Sequence, residues 1–183
     1  VPIEIEKKYR LTTEQRAEIL KRLPQLGAVH AGDEFEQNTL YAGKNFNRND
    51  AVIRLRRVGD RSILTFKKRF KSSAKIKRQL EEETEVGNPG ALEAILRELG
   101  LTPSLVYEKR RQTWKVTDTE IVLDELPFGL FMEIEGPAKE IRRLEKALTI
   151  KLQAESATYP QLTEKYGKQK RGVIEARFTK DSL

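Results

Sequence analysis

The chain has 183 residues, with 35 Lys and Arg against 28 Asp and Glu, a net charge of +7, one His and no Cys. That excludes a disulfide framework, a thiolate metal site and a cysteine nucleophile, and it excludes a histidine triad or histidine-rich metal site unless His30 alone serves it. The length suits one domain with a real core, the basic balance favours anionic partners, and no apolar run approaches the about 18 residues of a membrane span, so no membrane partner and a cytoplasmic location are expected.

Val1-Pro2-Ile3 is not a signal peptide, and the missing initiating Met suggests a processed or trimmed start. From Ile3 to Leu11 the chain alternates at the strand period: Glu4, Glu6, Lys8 and Arg10 share one face, while Ile3, Ile5, Tyr9 and Leu11 share the other, Lys7 being the exception. Thr12 with Gln15 forms a capping-box signal for a helix running to about Leu23 and stopping before Pro24, its apolar side made of Ala17, Ile19, Leu20 and Leu23. Ala28–Tyr41 is a long, imperfect strand and Asn45–Asp50 a loop. Ala51–Val58 and Ser62–Lys68 make a hairpin around Gly59-Asp60, and Arg69–Lys75 is a basic loop.

A strand over Ile76–Val86 ends at the turn signal Gly87-Asn88-Pro89-Gly90. The helix Ala91–Leu99 follows, with Leu92, Ile95, Leu96 and Leu99 on its apolar face and Gly100 at its end. Three strands come next, at Leu105–Val116, Glu120–Glu125 and Leu130–Glu135. Helices are predicted over Ala138–Leu148 and Tyr159–Tyr166, and Gly167–Gly172 reads as mobile and basic. There is no internal repeat.

Same-face charges recur along these strands at Arg54 and Arg56, at Glu81, Glu83 and Glu85, at Lys109 and Arg111, and at Glu133 and Glu135. The simplest architecture that uses both faces is a closed or nearly closed antiparallel sheet turned inside out. Helices would cover its apolar outside, and the charges would line a wet lumen. So many enclosed charges are costly unless paired, hydrated or bound to ions. Divalent metals on the carboxylates and an anion on the Lys and Arg side chains would satisfy both signs.

Glu4-Ile5-Glu6-Lys7-Lys8 fits an ExExK signature, and an ordered series follows it: Val52-Ile53-Arg54-Leu55-Arg56-Arg57, Leu64-Thr65-Phe66-Lys67, Glu81–Val86, Tyr107-Glu108-Lys109-Arg110-Arg111, Val122-Leu123-Asp124-Glu125, Phe131-Met132-Glu133-Ile134-Glu135-Gly136, and Ser156–Leu162 with Tyr159. Together these resemble the CYTH superfamily, the triphosphate tunnel metalloenzymes. The resemblance runs to about Tyr166, which suggests one tunnel domain over 1–166 and a basic C-terminal tail over 167–183. One departure is Gln79, where the family often has a basic residue; Lys77 or Arg78 could supply that charge, and Glu82 is expected to point outward.

The resemblance implies an α+β fold, an eight-stranded antiparallel tunnel with helices outside, that binds a triphosphate with Mg²⁺ or Mn²⁺. Hard divalent ions prefer carboxylate oxygens. The metal candidates are Glu4, Glu6, Glu133 and Glu135, each half of a same-face pair, with Glu81, Glu83 and Asp124 as further ones. Lys8, Arg54, Arg56, Lys67, Lys109 and Arg111 are the candidates for the triphosphate, and Lys8 and Arg56 for stabilising charge developing in phosphoryl transfer. Glu83 is a candidate acceptor for the proton of an attacking water.

If water attacks, the chain is a triphosphatase of tripolyphosphate, thiamine triphosphate or a nucleotide; if the 3′-hydroxyl of ATP attacks, it is a class IV adenylyl cyclase. With no adenine-reading motif in view, triphosphatase is the first expectation. A non-catalytic polyphosphate or nucleic-acid binding module is the third, and it would leave the carboxylate pairs idle. Lys67–Lys71 could bind nucleic acid, but a loop that steers an anionic substrate explains it as well, so nucleic acid is not an expected partner. His30, Trp114 and Phe66 read as surface or core residues. The resemblance also allows a homodimer.

Overall fold

Alternation of apolar and charged residues forces each strand to bury one face, so the question is which helices cover it. The computed structural model describes residues 5–44, 46, 51–69 and 79–179. The loops expected at Asn45–Asp50 and Arg69–Lys75 therefore lie largely outside the described residues, as do Lys77 and Arg78. The chain divides into two compact units, Val1–Phe35 with Lys109–Thr158, and Glu36–Glu108 with Tyr159–Leu183. Two long strands, β2 (Val29–Ala42) and β6 (Thr102–Val116), contribute residues to both.

In the first unit, β1 (Glu6–Leu11) pairs antiparallel with β8 (Gly129–Glu135), β8 with β7 (Thr119–Leu126), and β7 with the second half of β6. A two-residue strand, β9 (Gln153–Ala154), flanks β1 on its other side. Tyr9, Leu11, Ile121, Leu123, Met132 and Ile134 form one core cluster with Ile19 and Leu23 of α1 (Thr13–Gln25) and Ile141, Leu144 and Leu148 of α3 (Ala138–Leu148). The capping box is present: Gln15 N–H donates to Thr12 Oγ1 at 3.2 Å, and Thr12 N–H donates to Gln15 Oε1 at 2.8 Å. The helix does not stop before Pro24 as expected. Pro24 forfeits the backbone bond to Leu20 O, but it lies in the last turn, and Leu26 N–H still reaches Arg22 O at 3.0 Å.

In the second unit, the first strand of the set is the latter half of β2, which pairs with β3 (Ala51–Val58). Next come β4 (Arg61–Arg69) and β5 (Gln79–Glu85), all antiparallel. Gly59 sits at φ 54° between β3 and β4, a left-handed backbone that a glycine adopts without strain. Leu96 of α2 (Pro89–Glu98) is buried with Tyr41 and Leu55, and Asn88 caps the helix through Ala91 N–H at 3.0 Å. Ile95 and Leu99, expected on the apolar face, are instead 56 % and 70 % exposed. The buried stripe is narrower than the periodicity suggests and passes through Leu92 and Leu96, four residues apart.

The stretch after α4 (Tyr159–Tyr166) is not the mobile segment its basic composition suggests. It forms β10 (Lys168–Lys170) and β11 (Val173–Ala176), and β11 pairs in parallel with β6, Ile174 opposite Leu105 and Ala176 opposite Tyr107. Gly167 makes the turn possible: a Cβ there would lie 2.6 Å from Thr163 O and 2.8 Å from Ile174. Arg177 then fastens the end, donating to Gln37 Oε1 and Glu108 Oε1 at 3.0 Å each. The antiparallel, helix-covered α+β class expected from the sequence is the one found. Among the described residues, no helix is long and apolar enough to cross a membrane.

Truncating Leu144→Ala, 1 % exposed in the first core, should lower the unfolding free energy by about 2–5 kcal/mol. In urea this reads as an earlier midpoint at constant slope; an unmoved midpoint would mean that α3 does not hold the sheet.

Candidate functional site

With Tyr9, Met132, Ile134 and Leu123 committed to α1 and α3, their alternating neighbours must occupy the other face of the first unit's sheet. Register then sets Glu6 opposite Glu135 and Lys8 opposite Glu133 across β1 and β8, and Arg111 opposite Asp124 across β6 and β7. The ions link into a chain. Lys8 Nζ lies 3.2 Å from Glu133 Oε1 and donates to Ala157 O at 3.3 Å. Arg111 Nη2 donates to Glu133 Oε2 at 3.0 Å, and the same guanidinium forks onto Asp124, Nε to Oδ1 at 2.8 Å and Nη2 to Oδ2 at 2.7 Å. Lys109 Nζ completes it, 3.5 Å from Asp124 Oδ2. Asp124 is 0 % exposed and Lys109 3 %, so each charge depends on its partners in place of water.

A second cluster lies within the second unit. Leu55 of β3 is buried toward α2, which turns Arg54 and Arg56 to the opposite face. Thr65 sits opposite both Arg54 and Glu83, and Lys67 opposite Glu81. Arg54 Nη2 donates to Thr65 Oγ1 at 3.1 Å and to Glu83 Oε1 at 3.3 Å; Thr65 Oγ1 donates to Glu83 Oε1 at 2.6 Å. Lys67 Nζ is 2.6 Å from Glu81 Oε1. Burial pushes the Glu83 carboxyl up, but the Thr65 hydrogen bond and the charges of Arg56, Arg54 and Lys67 together outweigh it and hold it below its ordinary value. The Nε–H groups of Arg54 and Arg56 are buried and make no hydrogen bond.

Of the residues singled out by sequence, Glu6, Lys8, Lys109, Arg111, Asp124, Glu133 and Glu135 fall in the first unit, and Arg54, Arg56, Lys67, Glu81 and Glu83 in the second. Glu4 lies outside the described residues. Sequence reasoning passed over Glu36, Asn38 and Tyr107. Glu36 is 1 % exposed and Asn38 0 %, and Asn38 Nδ2 donates to Glu36 Oε2 at 3.1 Å, with Arg56 Nε 3.7 Å from the same oxygen. Burial raises the Tyr107 hydroxyl, with the Glu36 charge adding to it and Arg54 and Arg56 opposing. The available signal was Glu36 and Asn38 sharing a face within β2, where the alternation is imperfect.

Among the described residues, no group of three or more Asp, Glu or His side chains gathers to hold a metal. The donors fit a lighter arrangement. Mg²⁺ usually takes one or two carboxylates and fills its shell with water and phosphate oxygens. Glu6 and Glu135 are cross-strand partners, two carboxylates of the hard oxygen type that role calls for.

The model of the CYTH domain matches residues 2–166 of the chain. No curated protein sequence matches it. Among solved structures, the PH1012 protein of Pyrococcus horikoshii OT3 is similar at 24 % identity and a TM-score of 0.71, over 87 % of this chain and 98 % of that one. An adenylate cyclase candidate from Vibrio parahaemolyticus follows at 19 % identity and 0.66, over 86 % and 95 %. A Hippeastrum protein, an adenylyl cyclase candidate reported with a dominant triphosphatase activity, is similar at 17 % identity and 0.64, over 85 % and 92 %. At these identities the likeness establishes the fold.

Because the folded-state value of Glu83 is depressed, its ionised form stabilises the protein above the ordinary carboxylate value of 4.5, and that contribution is lost as pH falls through the lowered value. Thr65→Val removes the O–H donor with little change of shape. It should raise the Glu83 titration toward 4.5 and shrink the acid-induced loss of stability, as followed by carboxyl-carbon NMR. An unchanged titration would remove Thr65 as the cause.

Proposed function

The chain belongs to the CYTH domain family, and from that premise we propose that it is a divalent-metal-dependent triphosphatase, splitting tripolyphosphate, thiamine triphosphate or a nucleoside triphosphate with water to release orthophosphate. One observation carries the reading: Arg54 and Arg56 present buried Nε–H donors with no acceptor, on one face of β3. A buried donor without an acceptor is costly, and a phosphate oxygen is the acceptor that guanidinium geometry matches. The chain's net charge of +7 also favours an anionic substrate.

In this reading Glu6, Glu133 and Glu135, with Glu4, would hold Mg²⁺ or Mn²⁺, and Glu81 and Asp124 are further candidates. When bound, the ion neutralises phosphate charge and makes a bound water more acidic. The residues themselves bind and orient. Lys8, Lys109 and Arg111, now closed on Glu133 and Asp124, would exchange carboxylate oxygens for phosphate oxygens. Arg54, Arg56 and Lys67 would do the same on their own face. Lys8 and Arg56 would stabilise charge as the phosphoryl group departs. Glu83, kept ionised by Thr65 and the cations around it, would take the proton of the attacking water.

A second reading is supported by the structural neighbour from Vibrio parahaemolyticus, an adenylate cyclase candidate. The same charged faces would serve attack by the 3′-hydroxyl of ATP on its α-phosphorus, with pyrophosphate leaving. The two reactions separate by product. Incubation with Mg²⁺ or Mn²⁺ and either tripolyphosphate or ATP should yield orthophosphate from tripolyphosphate and no cyclic AMP. Cyclic AMP with pyrophosphate would replace the first reading by the second, and neither product from any triphosphate would leave a binding module.

Glu6→Gln combined with Glu135→Gln should abolish metal-dependent turnover with the urea midpoint retained, whereas full activity in that variant would end the metal assignment. Arg56→Ala should lower kcat/KM about 100-fold, the scale for losing one preorganised donor to developing charge.

A further inference from the structure

We infer that Glu36 is the positioning residue of Arg56, holding the guanidinium against the charged face of its unit while leaving its N–H donors for a bound polyanion; this rests on the triphosphate reading above. Arg56 differs from Arg54, the other arginine on its face of β3. Arg54 is bonded to Thr65 and Glu83. The described residues make no hydrogen bond to Arg56; its ion pair within 4 Å is Nε to Glu36 Oε2 at 3.7 Å, with the Glu83 charge also felt farther off. That distance is attractive but too long for a hydrogen bond. The guanidinium is thus held in direction with its donors uncommitted.

Glu36 can act so because it is fixed itself. Its side chain is 2 % exposed, its Oε2 accepts from Asn38 Nδ2 at 3.1 Å, and Asn38 is cross-strand partner to Arg56. A carboxylate this buried is retained only with compensation by charge and hydrogen bonds, to which Arg56 contributes charge and Asn38 a hydrogen bond. Tyr107, wholly buried, lies within the fields of Glu36, Arg54 and Arg56. The arrangement is that of an outer partner which orients a ligand-binding group without touching the ligand.

The test compares wild type, Glu36→Gln, Glu36→Asp and Arg56→Ala, with the Glu36→Gln, Arg56→Ala double variant. Two readouts are needed: the Arg56 Nε–H resonance in ligand-free protein, assigned by its loss in Arg56→Ala, and the Kd for tripolyphosphate by calorimetry. In Glu36→Gln the resonance should broaden and exchange with solvent, and the Kd should rise about tenfold. Glu36→Asp, which keeps the charge, should recover part of both and covers the case in which Glu36→Gln fails to fold. In the Arg56→Ala background, Glu36→Gln should leave the Kd unchanged. An unmoved resonance, or an equal loss of affinity with and without Arg56, would overturn the inference. If wild type binds no tripolyphosphate while the resonance still responds to Glu36→Gln, the triphosphate reading fails and the positioning contact stands.

Discussion

Asp124 is shut off from bulk water, and the ionic side of its unit is arranged around meeting its charge. With 0 % exposure its carboxylate is held by Arg111 through two hydrogen bonds and by Lys109 at 3.5 Å, and Arg111 reaches on to Glu133, which Lys8 meets in turn. Such a chain is a poor source of stability, since desolvation offsets most of the attraction. Its cost is met on the opposite face of the same strands, where Leu123, Met132, Ile134 and Tyr9 pack against α1 and α3. One sheet therefore carries two unlike faces: an apolar one that holds the fold together and an ionic one that the fold can afford. Removing a single member of the ionic chain would leave an uncompensated charge, so its members act as a set.

The second unit applies the same division with a different balance. Leu55 and Tyr41 supply the apolar face against α2, while Arg54, Arg56 and Lys67 stand on the other. Here Lys67 is closed on Glu81, but the Arg56 ion pair is long and the Nε–H groups of Arg54 and Arg56 have no acceptor, whereas Arg111 in the first unit is bonded through both Nε and Nη2. A buried donor without an acceptor is the more informative feature, because native interiors rarely tolerate one without a reason.

The fold was largely legible because strand alternation is a local signal. Lys8 and Glu133 meet because residues two apart share a face, and that period is readable without tertiary information. Helix α1 was legible through Thr12 and Gln15 for the same reason: the cap lies within one turn. What escaped is non-local. Strand β11 exists because Ile174 and Ala176 pair with Leu105 and Tyr107, some seventy positions away, and nothing in Gly167–Gly172 announces that pairing. The exposure of Ile95 and Leu99 likewise depends on which neighbours reach α2. Glu36 was missed because a glutamate in a strand ordinarily signals a solvated face; its burial is set by Arg56 on β3 and by Tyr107 on β6.

The two charged faces differ in how their cations are bonded, which bears on their chemistry. In the first unit the carboxylates Glu6, Asp124, Glu133 and Glu135 outnumber the cations Lys8, Lys109 and Arg111 on the same stretch of sheet, Arg10 being answered by Glu155 at 3.7 Å. An excess of carboxylate oxygens favours a cation, and hard oxygens favour a small divalent one. In the second unit Glu36, Glu81, Glu83 and Glu85 stand against Arg54, Arg56 and Lys67, and the buried Nε–H groups of the two arginines have no acceptor. Uncommitted guanidinium N–H groups favour an anion with several oxygens. The metal-bound triphosphate proposed above supplies both kinds of group, a divalent cation and an excess of anionic oxygen. Each face alone has a simpler partner, a metal ion or a phosphate.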